Sequence, residues 1–107
     1  MKLNLKKINW RELPKETFTT KVNGEEYEID ITALDGQMML ELNELPEKEK
    51  LGFVIAKGLN VSLEEAKDVI KHDLTFAGEV AKHILDLSST FHDEMNAKRR
   101  GSLTIIA

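Results

Sequence analysis

The sequence predicts an α+β domain, a small antiparallel hairpin on the N-terminal side packed on about four helices, the last of them long. Three observations carry that class. The stretch FTTKVNGEEYEIDI (residues 18–31) alternates apolar and polar residues about an Asn-Gly pair. Cap and stop signals then punctuate residues 35–73 into short helices. Finally, an apolar stripe runs at helical spacing from Phe76 to Met95. At 107 residues the chain suits one core and one domain.

Asn23-Gly24 suits a type I′ turn, in which both central residues take positive φ. That turn pairs Val22 with Glu25, Thr20 with Tyr27 and Phe18 with Ile29. Phe18, Val22, Tyr27, Ile29 and Ile31 then share one face, and Thr19, Lys21, Glu26, Glu28 and Asp30 the other, with Lys21 opposite Glu26. A two-stranded ribbon with one apolar face needs helices to cover it. Residues 1–17 read as an irregular or strand-like arm broken at Leu13-Pro14. Trp10, the only tryptophan, is expected to anchor this arm on the core; the alternative is an exposed partner hot spot.

Residues 35–97 read as helical. Asp35 is a cap for a helix to about Asn43 bearing Met38, Met39, Leu42 and Leu45. Pro46 opens the next helix, roughly 46–57, with Leu51, Phe53, Val54 and Ile55 apolar and Gly58 as its left-handed stop. Ser62-Leu-Glu-Glu65 is a capping box for a helix to about Lys71, apolar at Leu63, Ala66, Val69 and Ile70. From about Leu74 to Ala97, Phe76, Val80, Ile84, Leu87, Phe91 and Met95 form one stripe. Such a helix would be about 35 Å long, so its end projects or its start breaks near Gly78. Ser88-Ser89-Thr90 suggests a bend. Residues 98–107 read as a basic, then apolar tail: Gly101-Ser102 ends the helix, and Leu103-Thr-Ile-Ile106 is β-prone. A strand from either end of the chain could join the hairpin.

Composition narrows the function. Apolar residues make up 41% and charged residues 32%, as in soluble globular proteins. No run is long and apolar enough to span a bilayer, and MKLNLKKINW lacks the apolar core of a signal peptide. Cysteine is absent, which favours a cytoplasmic setting. The net charge of −4 conceals an asymmetry: residues 1–22 sum to +4, residues 23–97 to −11 and residues 98–100 to +3. An acidic body of that kind is unsuited to phosphate backbones, so neither nucleic acid nor membrane is the expected partner.

No motif announces a chemistry. His72, His83 and His92 form no HExxH pair, and their neighbours Asp68 and Glu79 suit surface ion pairs better than a zinc site. No serine sits in a GxSxG elbow, and neither glycine loop has phosphate-binding spacing. The reading is therefore non-enzymatic, with no catalytic residue, metal or cofactor. Protein binding remains. Met38, Met39 and Leu42, together with Leu103, Ile105 and Ile106, are the candidate contact surface, since adjacent methionines point about 100° apart and adapt to apolar partners. Filling the core beside Phe53 is the competing role for the methionines.

The order of elements resembles a known family. A basic start, an Asn-Gly hairpin, helices ending in Val54-Ile-Ala-Lys-Gly-Leu59, the capped Ser62–Ile70 helix and a final helix with Val80-Ala-Lys-His-Ile-Leu-Asp-Leu-Ser88 together resemble the small tail assembly chaperones of long-tailed bacteriophages and prophages. The resemblance spans about residues 18–90. It implies a chaperone in the host cytoplasm that binds the tape measure protein, keeps it soluble and helps recruit tail tube subunits. It transfers no catalytic residues. A small dimeric phage or bacterial regulatory adaptor, a homo-oligomer paired through its last helix, is the alternative; an enzyme or metal protein built on the histidines is a third.

Overall fold

A computed structural model describes the backbone of residues 4–106 and the side chains of residues 4–97. After a single 3-10 turn at Leu5–Lys7, the chain forms β1 (Lys15–Val22), β2 (Glu25–Thr32), α1 (Gly36–Glu44), α2 (Glu47–Leu59), α3 (Leu63–His72) and α4 (Leu74–Ile106). The predicted α+β class is the observed one: an antiparallel hairpin followed by four helices, the last much the longest.

The hairpin has the expected register, with Phe18 opposite Ile29, Thr20 opposite Tyr27 and Lys21 opposite Glu26. Asn23 and Gly24 take φ of 54° and 81°, the left-handed pair a type I′ turn requires. Both strands run further than residues 18–31. Lys15 pairs with Thr32, and the Ala33 N–H donates to the Pro14 carbonyl at 3.0 Å. Among the described residues the sheet has these two strands alone; the arm contributes no third. Burial falls off toward the turn along β2 but not along β1. Ile31 and Thr20 are buried, and Phe18, Val22 and Ile29 are half-buried. Tyr27, expected on the covered face, is exposed, and its hydroxyl bonds the Glu25 carboxylate at 2.8 Å. At the turn end β1 still meets the helices, with Val22 beside Val69, His72 and Phe76, while Tyr27 on β2 is left uncovered.

Helix α2 is the hub, touching β2, α1, α3 and α4. Its boundaries correct one expectation. Gly58 does not stop the helix; Asn60 does, in left-handed geometry (φ 57°, ψ 47°). The Val61 N–H then reaches back to the Ala56 carbonyl at 2.9 Å, the six-to-one bond of a Schellman end. Gly58 is helical and lets α4 approach: a Cβ placed there would lie 2.5 Å from Ile84 Cγ1 and 2.8 Å from Cγ2. Ile84 is fully buried, in a core with Ile31, Leu34, Ile55 and Val80.

The caps follow local chemistry. Asp35 Oδ1 accepts from the Met38 N–H at 2.8 Å, and Ser62 Oγ from the Glu65 N–H at 3.1 Å, each satisfying an orphan donor of the first turn. Asp73 serves two helices. Its N–H donates to the Val69 carbonyl to close α3, and its carboxylate accepts from the Phe76 N–H at 3.0 Å to open α4. With that cap in place, α4 starts cleanly and passes Gly78 without a break. It also continues through Gly101-Ser102, so the expected stop there is overturned. Leu103, Ile105 and Ile106 stand on a helix rather than on a strand, because the intrahelical ladder outweighs the β preference of so short a run. At 33 residues, α4 is about 50 Å long and sets the 56 Å long axis of the molecule, whose other extents are 28 and 25 Å.

Candidate functional site

The site begins at the junction between β2 and α1, which α4 holds from the side. Ser88, fully buried, accepts the Leu34 N–H at 2.8 Å and donates to the Ile84 carbonyl at 2.7 Å. One helical turn later, His92 Nε2 lies 2.9 Å from the Leu34 carbonyl and donates to it. Both polar groups of a buried backbone unit are therefore satisfied by side chains four residues apart on α4. Ser88, which the sequence marks only as part of a bend-prone Ser-Ser-Thr run, is a strut. The available signal was position: Ser88 stands four residues after Ile84 and three before Phe91, on the apolar stripe, whereas Ser89 is off that face and exposed.

That clamp places Asp35 and Gly36 beside the far part of α4, where the N-terminal arm also lies. Arg11 binds Glu94 at 3.0 Å and stands over the Phe91 ring, 5.1 Å from its centre. The neighbouring Trp10 and Leu13, with Asp35, Phe91, His92 and Met95, line a groove of about 330 Å³. Trp10 is 62% exposed. The arm is thus fastened by Arg11 through charge and cation–π attraction, while the tryptophan expected to do the anchoring faces solvent. The sequence signal was the isolated tryptophan itself; what misled was the rule that so large a side chain is normally covered.

The expected contact surface is divided. Leu42 belongs to the core at 9% exposure, and Met38 and Met39 are half-buried against it. The outward apolar residue of α1 is Leu40, 67% exposed, which the stripe reading passed over. The side chains of Leu103, Ile105 and Ile106 lie outside the described residues. The three histidines have separate surroundings. His72 is exposed and 3.4 Å from Asp68, His83 stacks on Phe18 with ring centres 4.0 Å apart, and His92 holds Leu34. Among the described residues no three His, Asp or Glu side chains are grouped to hold a metal, and no helix is long and apolar enough to cross a membrane. A larger depression, about 440 Å³, lies along β1 beside Gly58 and Leu59, but its Thr17 and Asp30 bond each other at 2.6 Å. The groove at Trp10 has the better claim to be a binding surface, because it offers an exposed aromatic above an apolar floor.

No protein-family model, curated protein or solved structure matches this chain.

Proposed function

We propose that this protein is a non-catalytic binding protein that covers apolar surface on another polypeptide, acting as a tail assembly chaperone of the kind its sequence resembles. The partner in that reading is a tape measure protein, kept soluble in the host cytoplasm until tail tube subunits enclose it. The observation that carries the reading is Trp10, solvent-exposed at the lip of an apolar groove floored by Phe91 and Met95. Tryptophan is the residue type most enriched among binding hot spots, and exposed apolar ground on a small protein commonly marks an interface. The acidic body supports the same role, since its charge of −11 over residues 23–97 would keep a complex with an aggregation-prone helical chain in solution.

The test is co-expression with the tape measure protein. Trp10→Ala and Met95→Glu, checked for unchanged circular dichroism and melting, are expected to send the partner into the insoluble fraction. A partner that stays soluble and co-purifies with both variants refutes the assignment of this groove. The adaptor reading has less support, because Val80, Ile84 and Phe91 of the stripe it would pair through are buried in the chain's own core. Sedimentation separates the two, because an adaptor of that kind is a tight dimer in the absence of any partner.

A further inference from the structure

A second apolar cleft lies on another face, between α2 and α3. Gly52 forms its floor, Leu45 and Phe53 stand on the α2 side, and Leu63 and Ile70 on the α3 side. Its volume is about 140 Å³. Small-molecule pockets run from about 300 to 1,000 Å³, so the cleft suits a single large apolar side chain better than a metabolite or cofactor. Leu63 is 49% exposed at its edge. Gly52 keeps the space open. Glycine inside a helix is unfavourable relative to alanine, and a Cβ here would meet only side-chain tips, Leu63 Cδ1 at 3.4 Å and Ile70 Cδ1 at 3.8 Å. Packing therefore tolerates a larger residue at Gly52, whereas the open cleft needs the glycine.

Charge identifies the occupant. Residues 23–97 contain six lysines against seventeen carboxylates. Two of the six, Lys48 and Lys67, line this cleft from opposite helices. Among the described residues Lys48 and Lys67 enter no ion pair, while Lys50 is bound to Glu47 at 3.0 Å. Glu49 is the one carboxylate in the lining. The cleft is thus a cationic spot on an acidic protein.

We propose that the α2–α3 cleft docks an acidic segment of a partner protein, taking one large apolar side chain between Phe53 and Leu63 while flanking carboxylates meet Lys48 and Lys67. The geometry is that of an anchored helix in a groove, with charge selecting the partner and its orientation. This surface is separate from the groove at Trp10 and does not depend on the identity of the partner there.

The experiment uses the full-length, ¹⁵N-labelled protein and two short helix-forming peptides. One displays a leucine flanked by glutamates; its twin carries lysines at the same places. The acidic peptide is expected to shift the amides of Gly52, Phe53, Leu63 and Lys67 saturably, and the basic twin to bind at least about tenfold more weakly. Gly52→Leu, which fills the cleft, is expected to abolish those shifts while the circular dichroism and melting of the protein persist. Lys48→Glu with Lys67→Glu is expected to reverse the preference between peptides; this second variant leaves the apolar packing untouched if Gly52→Leu misfolds. Equal affinity for the two peptides, shifts confined to another face, or unchanged binding by folded Gly52→Leu would each overturn the proposal. So would dilution-dependent shifts of the same amides without peptide, which would place a second copy in the cleft.

Discussion

Gly52 and Gly58 lie in the same helix, and alanine is expected to act on them with opposite sign. At Gly58, a methyl group would enter the space of Ile84, whose Cγ1 is 2.5 Å from the Cβ position and whose side chain is fully buried. Overpacking a close-packed core costs about 1–3 kcal/mol, and contact with several atoms of one immobile side chain puts this case in the upper half. Alanine's better helix propensity returns at most about 1 kcal/mol, leaving Gly58→Ala destabilised by about 1–2 kcal/mol. At Gly52 the same Cβ makes contacts of 3.4 and 3.8 Å, so the propensity term stands alone and Gly52→Ala gains up to about 1 kcal/mol. The gap between them is about 1–3 kcal/mol, and with each kcal/mol worth roughly 4–8 °C in a domain of this size the two variants should melt roughly 4–24 °C apart, on either side of the parent. Thermal and urea unfolding followed by circular dichroism measures both. Ile84→Ala, which removes every side-chain atom beyond Cβ, provides the coupling control. If the clash is the cause, the Gly58→Ala, Ile84→Ala double variant should be more stable than the sum of the singles by at least about 0.5 kcal/mol. Two alanine variants that shift in the same direction, or strict additivity with Ile84→Ala, would refute the close approach of α2 and α4.

Three further outcomes follow from particular contacts. Ser88→Ala strands the buried Leu34 N–H and should cost about 1–3 kcal/mol in urea unfolding, whereas Ser89→Ala, one residue on and exposed, should change stability by less than about 0.5 kcal/mol. Gly24→Ala forces a side chain into φ of 81° with no steric neighbour to blame, so the loss of about 1–2 kcal/mol should be purely conformational, and amide exchange should accelerate first across β1 and β2. Trp10→Ala should leave the melting temperature almost unchanged, because the ring is 62% exposed, while quenching by acrylamide of the parent's single tryptophan should fall sharply once a partner is bound.

Local chemistry was readable wherever one or two adjacent residues decide the outcome. Asn23-Gly24 set the hairpin register, and Asp35 and the Ser62–Glu65 box placed two helix starts, because each acts on backbone groups within three residues of itself. Errors arose where distant residues decide. A glycine near the end of a helix has the same sequence signature whether it terminates the helix or admits a neighbour; Gly58 admits Ile84, and Asn60 supplies the left-handed turn. Asp73 lacked an obvious signature because it caps one helix while ending another. The candidate site depends most on such distant residues. Met38, Met39 and Leu42 looked surplus on a helical wheel of α1 alone, yet α2 and the hairpin supply a core for them to fill. Charging Leu42 would therefore unfold the protein rather than probe a partner, whereas the exposed Trp10 can be substituted without disturbing the core.

The placement of the two proposed surfaces follows from how the core is built. The clamp of Ser88 and His92 on Leu34 ties α4 to the start of α1, and Arg11 then fastens the arm to Phe91 and Glu94, so the Trp10 groove is assembled from three distant segments. The α2–α3 cleft, in contrast, is made within residues 45–70, from one helical hairpin and its missing side chain at Gly52. The two surfaces should therefore fail separately. Removing the strut with Ser88→Ala should loosen the arm and weaken binding at Trp10 well below the melting transition, while peptide binding at Gly52 stays intact to the same temperature. Loss of both activities together on heating would mean that the body unfolds as one cooperative unit with no weaker arm, and the hierarchy argued from Ser88 would be wrong.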